Sequence, residues 1–240
     1  MPRYTICMSS VKKLSSIRPN GSFWLVSKSL LSLSCLSIIF FLIGVLRSGN
    51  FGDWYLLWNL FLAWIPFILS YALATALRER LWSSWQCIGL SLAWLLFLPN
   101  SFYIVSDFIH LQDTPRTSVL FDSLMFTLFI VNGLMLGFVS LYLIQLQLQK
   151  RISQTRTTLL VAAVLLSCSF AIYLGRDLRW NSWDVLVSPA GIIFDISERI
   201  VRPLAHPEVF SITLMFFAFL GGLYWVMWNV IRAVRRASSK

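Results

Sequence analysis

A chain of 240 residues, 58% of them hydrophobic and only 12% charged, carries a net charge of +10 and a mean hydropathy of +0.73. Ordinary soluble domains are roughly 25% charged, and several apolar runs here exceed the roughly 18 residues that cross a bilayer core. Those runs are continuous rather than alternating, which excludes an outer-membrane barrel. No basic stripe with interleaved aromatics stands apart from them, so nucleic acid is excluded as a partner and the basic excess has a topological meaning. The fold class is all-α: a polytopic helical membrane protein with about six transmembrane helices, an additional interfacial amphipathic helix, and membrane lipids as its surroundings and partners.

Residues 1–28 form a basic, serine-containing leader with Arg3, Lys12, Lys13, Arg18 and Lys28. The apolar run that follows is longer than the 7–15 residues of a cleaved signal core, so it is expected to stay as a first span at about 30–46. Gly49, Asn50, Gly52 and Asp53 mark a turn. The second span is expected at 55–77, with Pro66 inside it as membrane helices tolerate. The third is expected at 81–98. Pro99 disfavours helix at the residue before it, and Asn100 or Ser101 can cap a new, short surface helix reaching about Leu111. The fourth span is expected at 119–143, with Asp122 at its positive end and Gly133-x-x-x-Gly137 offering a close approach to another helix. The fifth is expected at 158–174. Pro189 and Pro203 bracket an amphipathic stretch, with Ile192, Ile193, Ile196, Ile200 and Leu204 on one face and Asp195, Glu198, Arg199 and Arg202 largely elsewhere. The sixth span is expected at 210–230, and residues 232–240 form a basic tail. Cys7, Cys35, Cys87 and Cys168 share no metal-binding spacing and read as small apolar side chains.

Six spans put both termini on one side. That side holds the leader, Arg78, Arg80, Lys150, Arg151, Arg156, Arg232, Arg235, Arg236 and Lys240, fourteen basic residues in all, with Glu79 as its one acid. The other side holds Arg47, Arg116, Arg176, Arg179, Arg199 and Arg202 and the nine remaining acids. Lys and Arg favour the cytoplasmic side, so an inner-membrane location with both termini cytoplasmic is expected.

Two polar clusters then share the non-cytoplasmic face. In the first, Tyr103, Asp107 and His110 are spaced to lie on one helical face, with Asn100 before them, Asp113 after them and Asp122 opening the next span. A histidine with carboxylates suits acid–base work or metal binding, which makes Asp107 and His110 candidates for either role; the cofactor is left open. In the second, Arg176 and Arg179 sit one turn apart and could fork onto a phosphate or carboxylate, beside Trp180, Asn181, Trp183 and Asp184. The ligand-binding set is therefore Asn100, Tyr103, Asp122, Arg176, Arg179, Asn181 and Asp184. An internal salt-bridge network between the clusters, such as Arg176 with Asp107 or Asp122, is the competing reading. No phosphate loop, dinucleotide fingerprint or G-x-S-x-G motif is present.

At these clusters the chain resembles an uncharacterised family of bacterial integral-membrane proteins known as domain of unknown function 1361. The resemblance rests on Leu98-Pro99-Asn100, Tyr103, Asp107 and His110, and on Gly175-Arg176, Arg179 and Asn181-Ser182-Trp183-Asp184. It departs at Ser101-Phe102, Ser106 and Asp177. It spans roughly residues 56–230 and implies a multi-span bacterial membrane protein without assigning an activity. The sequence supports a polar, ligand-binding site on the non-cytoplasmic face. An enzyme acting on a lipid or lipid-linked substrate and a small-solute transporter are the alternatives, the latter weakened because Asn132 and Pro66 are almost the only midspan oddities.

Overall fold

The computed structural model describes residues 21–112, 118–180, 182, 184–202 and 205–237. The basic leader through Asn20 with Cys7, and Asp113, Arg116, Asn181, Trp183, Pro203, Leu204 and Lys240, lie outside the described residues. All regular structure within them is helical. Helix α1 is Gly21–Ser48, α2 Tyr55–Ala76, α3 Trp85–Tyr103, α4 Val119–Gln149 and α5 Gln154–Asp177. A single turn, α6 (Asp184–Val187), precedes α7 (Pro189–Val201) and the last long helix, α8 (Pro207–Ala237). Short 3-10 segments at Gly52–Trp54 and Ile104–Gln112 lead into α2 and out of α3. Six of these helices, α1 to α5 and α8, are long and apolar enough to cross a membrane.

Serines set where three of them begin. Ser84, Ser118 and Ser153 accept from the backbone N–H of Cys87, Phe121 and Arg156, satisfying a donor that the first turn of a helix leaves open. Helix α3 thus starts at Trp85, four residues later than its hydrophobicity suggests.

The third helix also differs at its other end. It does not stop before Pro99 but runs through it to Tyr103 and then tightens into the 3-10 segment. The proline removes the donor for the Leu95 carbonyl and crowds that turn, yet neighbouring side chains take up the loosened backbone. The Ser182 hydroxyl donates to the Leu96 carbonyl at 3.1 Å, and Asn100 Nδ2 donates to the Phe97 carbonyl at 3.1 Å. Pro66 in α2 is served the same way. Ser101 donates to the Ala63 carbonyl at 3.1 Å and Ser140 to the Pro66 carbonyl at 2.9 Å, while Trp94 Nε1 donates to Ser140 Oγ at 2.8 Å. In a bilayer no water is at hand for such groups, so these hydroxyls make both prolines tolerable and tie α2, α3 and α4 together.

Helix α4 is the central element, with the most buried surface of the six. Helices α2 and α3 pack along it and along each other, α1 lies on its outer side, and α5 pairs with α8. One apolar core joins α2, α3, α4, α5 and α8 around Leu98, Phe138, Leu141 and Ile172. A second joins α1, α2, α4 and the 3-10 segment around Phe41, Leu56, Ile104, Phe126 and Phe129. The Gly133-x-x-x-Gly137 pair receives the end of α3. A Cβ at Gly133 would stand 2.5 Å from Ile104 Cγ2 and 2.7 Å from the Ser101 carbonyl, and one at Gly137 would stand 2.6 Å from the Phe102 ring. Glycine here lets the 3-10 segment sit directly on α4.

Candidate functional site

A cavity of about 360 Å³ opens at one end of the bundle. The first turns of α2 supply Tyr55, Trp58 and Asn59 to its wall; the last turns of α3 supply Pro99, Asn100 and Tyr103; the 3-10 segment supplies Asp107 and His110. The end of α5 contributes Ala171, Leu174 and Gly175, and Trp180, Ser182, Val185 and Ile192 close the side facing α6 and α7.

Asp107 is the most informative member. Its side chain is only 3% exposed, it faces the cavity, and Asn59 Nδ2 donates to its Oδ2 at 2.7 Å. No cationic side chain among the described residues forms an ion pair with it. A carboxyl group held this deep with one amide donor keeps acceptor capacity turned towards the cavity. His110 is exposed and stands edge-on to the Tyr55 ring at 5.5 Å. Tyr103 is half-buried and lies across Gly175, where a Cβ would meet its ring at 3.0 Å. A larger residue at position 175 would push the phenol into the cavity.

The second wall is joined to the first by a hydrogen-bonded bridge. Asn100 Nδ2 donates to Ser182 Oγ at 2.8 Å, and Ser182 in turn donates to the Leu96 carbonyl. The sequence motif after α3 and the one after α5 are therefore one structural unit. The connection is made by Ser182, not by the arginines. Arg176 is half-buried and Arg179 exposed; neither lines the cavity, and neither pairs with Asp107.

Arg179 has a backbone role instead. Its φ of 60° puts it in the left-handed region, the conformation that ends many helices and that usually falls to glycine. The turn sends the Trp180 N–H back to the Leu174 carbonyl at 3.2 Å and delivers the indole to the cavity. Trp180 Nε1 then donates to Asp195 Oδ2 at 2.7 Å, and its ring covers Gly191, where a Cβ would stand 2.9 Å away. Arg199 completes the clasp. It donates to the Tyr173 hydroxyl at 3.2 Å and to the Asp195 carbonyl at 2.8 Å, and pairs with the Asp195 carboxylate at 3.5 Å. So Arg199, assigned by the sequence pattern to the polar outer face of α7, is buried against α5, while Ile193, Phe194 and Val201 are exposed.

Asp122 is buried in the first turn of α4 and Asp184 is half-buried at the start of α6; neither is among the cavity-lining residues. Among the described residues no group of three or more His, Cys, Asp and Glu side chains gathers as a metal cage. Asn132, fully buried in α4, donates to Ser34 Oγ at 2.9 Å beside Trp64, away from the cavity. Asn59, Tyr55 and Trp58 escaped the sequence reading as site residues, while Trp180 and Ser182 entered it only as neighbours of the arginines and part of the second motif. Asn59 carried the best available signal, an amide one turn after Tyr55 near the start of an apolar run.

The opposite end of the bundle is basic. Arg151 donates to the Leu77 carbonyl at 3.1 Å, closing α2, and its guanidinium lies over the Trp82 ring. Partial burial, then the charges of Arg151 and Arg78, push the Lys150 ammonium below its usual range.

The fold and these two unlike ends define a polytopic α-helical membrane protein with a polar cavity at one end. A family model described as "Protein of unknown function (DUF1361)" matches residues 58–222, and the chain belongs to that family. No curated protein and no solved structure matches it.

Proposed function

We propose that this protein is a six-span inner-membrane protein with both termini cytoplasmic, and that its cavity is an outward-facing site for a ligand bearing hydrogen-bond donors. The observation that carries the reading is Asp107, buried yet turned to a cavity, with Asn59 as its hydrogen-bond donor and no ion pair to a cation among the described residues. Asn100, Tyr103 and His110 supply further polar contacts around the same space. Asp107 and His110 are the pair suited to acid–base chemistry or to a metal should one bind. Arg176, Arg179 and Asp184 belong to the surrounding outer end of the bundle, where Asp122 is buried in the first turn of α4. The charge asymmetry between the ends supports the orientation. The exposed Ile193, Phe194 and Val201 support α7 as a helix lying in the outer membrane interface. Transport is less well supported, because the polar Asn132–Ser34–Trp64 group ties α1, α2 and α4 together without continuing the cavity inward.

Single-cysteine labelling in a cysteine-free background tests this. His110→Cys is expected to react with a membrane-impermeant maleimide on intact spheroplasts, and Lys150→Cys only on inverted vesicles. The reverse pattern would discard the orientation. Free ethanolamine and glycerol, followed by saturation-transfer NMR, are expected to contact the wild-type protein and to lose that contact in Asp107→Asn. Contacts that ignore this substitution would discard the site.

A further inference from the structure

The polar cavity adjoins a groove of about 310 Å³ between α3 and α5. The two spaces share Leu96, Pro99 and Ala171, and the groove runs on along Leu92, Leu95 and Ser167. Leu92 and Leu95 are 64% and 39% exposed on helices that cross the hydrocarbon, so the groove opens sideways to lipid chains, with the polar cavity at its outer end. Resting on the cavity reading above, the geometry points to an amphiphile as the ligand: a lipid whose amine or hydroxyl head hydrogen-bonds Asp107 while one hydrocarbon chain lies in the α3–α5 groove.

The chemistry divides between the two parts. A chain leaving the bilayer for an apolar groove gains little, because lipid tails are as apolar as leucine. The groove therefore orients the molecule and raises the local concentration of its head, and selection falls to the cavity. Among the described residues no lysine or arginine lines that cavity, so the described lining offers an anionic group no cationic partner. Its buried carboxyl group instead favours a head that donates, with an ammonium giving the stronger, charge-assisted bond. Pro99 lines both spaces, and its ring leaves the α3 turn there short of one backbone donor.

Two photoactivatable lipids test the assignment, phosphatidylethanolamine and phosphatidylcholine, each with a diazirine midway along one chain. The choline head cannot donate a hydrogen bond. With the full chain in phosphatidylcholine nanodiscs, the ethanolamine probe is expected to label residues 92–99 and 167–171 about tenfold more than the choline probe, the ratio one charge-assisted hydrogen bond supports. Asp107→Asn is expected to bring the two probes level. Ser167→Trp, which fills the groove and spares the cavity, is expected to remove the labelling while free ethanolamine still contacts the protein. Equal labelling by both probes in the wild-type chain overturns the inference without recourse to any variant. Asp107-dependent contact with free ethanolamine but no groove labelling also overturns it, and leaves the cavity reading standing. If neither the lipid nor free ethanolamine binds, both readings fall.

Discussion

Gly133→Ala isolates the contact that sets the position of Asp107. The added methyl would stand 2.7 Å from the Ser101 carbonyl and 2.5 Å from Ile104 Cγ2. Neither obstacle is the free end of a flexible chain, since one is helix backbone and the other a β-branched residue with no exposed surface. Restoring even a tight 3.4 Å contact to that carbonyl requires α3 and α4 to part by about 0.7 Å. Passed in full along the 3-10 segment, the same shift would lengthen the 2.7 Å Asn59–Asp107 hydrogen bond to about 3.4 Å, past the usual range. Overpacking of this kind costs about 1–3 kcal/mol, equivalent to a melting temperature lower by roughly 3–10 °C for a chain of this size. Thermal unfolding in nanodiscs, followed by tryptophan fluorescence, measures it. Gly89→Ala and Gly222→Ala are the controls, because nothing lies within 4 Å of a Cβ at either position, and alanine in a helix is intrinsically favoured over glycine. Melting of Gly133→Ala that matches wild type or these controls would refute the argument that the glycine seats the 3-10 segment.

Asn59→Ala leaves Asp107 buried without its amide partner and is expected to destabilise the protein by about 1–3 kcal/mol, read by the same melting assay. Tyr173→Phe removes the hydroxyl that receives Arg199 and is expected to raise amide hydrogen exchange across α7 while sparing α2. Arg179→Gly relieves a left-handed residue and is expected to keep or raise the melting temperature by up to the equivalent of about 1 kcal/mol; a loss of stability would assign the Arg179 side chain a contact of its own. Lys150→Gln is expected to stabilise the protein near neutral pH, because an ammonium whose folded pKa is depressed opposes folding while it is charged in both states. That gain is expected to fade as pH rises through the depressed folded value and to be gone above the ordinary lysine value of 10.5.

The six long helices were legible because each apolar run is uninterrupted by charge and long enough to span a bilayer. The spacing of Tyr103, Asp107 and His110 put them on one face even though the chain changes from α to 3-10 between the first and the second. What the sequence hid was compensation between distant residues. Pro99 signalled a helix end, yet the helix runs through it, and Ser182, eighty-odd positions later, donates to its turn. Arg176 and Arg179 were conspicuous as charges, but the left-handed backbone at Arg179 and the reach of Trp180 give that segment its part in the wall. Arg199 followed the amphipathic pattern on paper and the Tyr173 hydroxyl in space. A pattern of polar and apolar letters does not show which buried hydroxyl will meet which charge.

The Ser182–Leu96 hydrogen bond lets the segment after α5 hold the carbonyl next to the one that Pro99 leaves without its helical donor. The proline turn of α3 and the wall of the cavity are thus held by the same side chain, Ser182. Loss of that one hydroxyl would leave both the Leu96 carbonyl and the Asn100 amide without the partner it supplies.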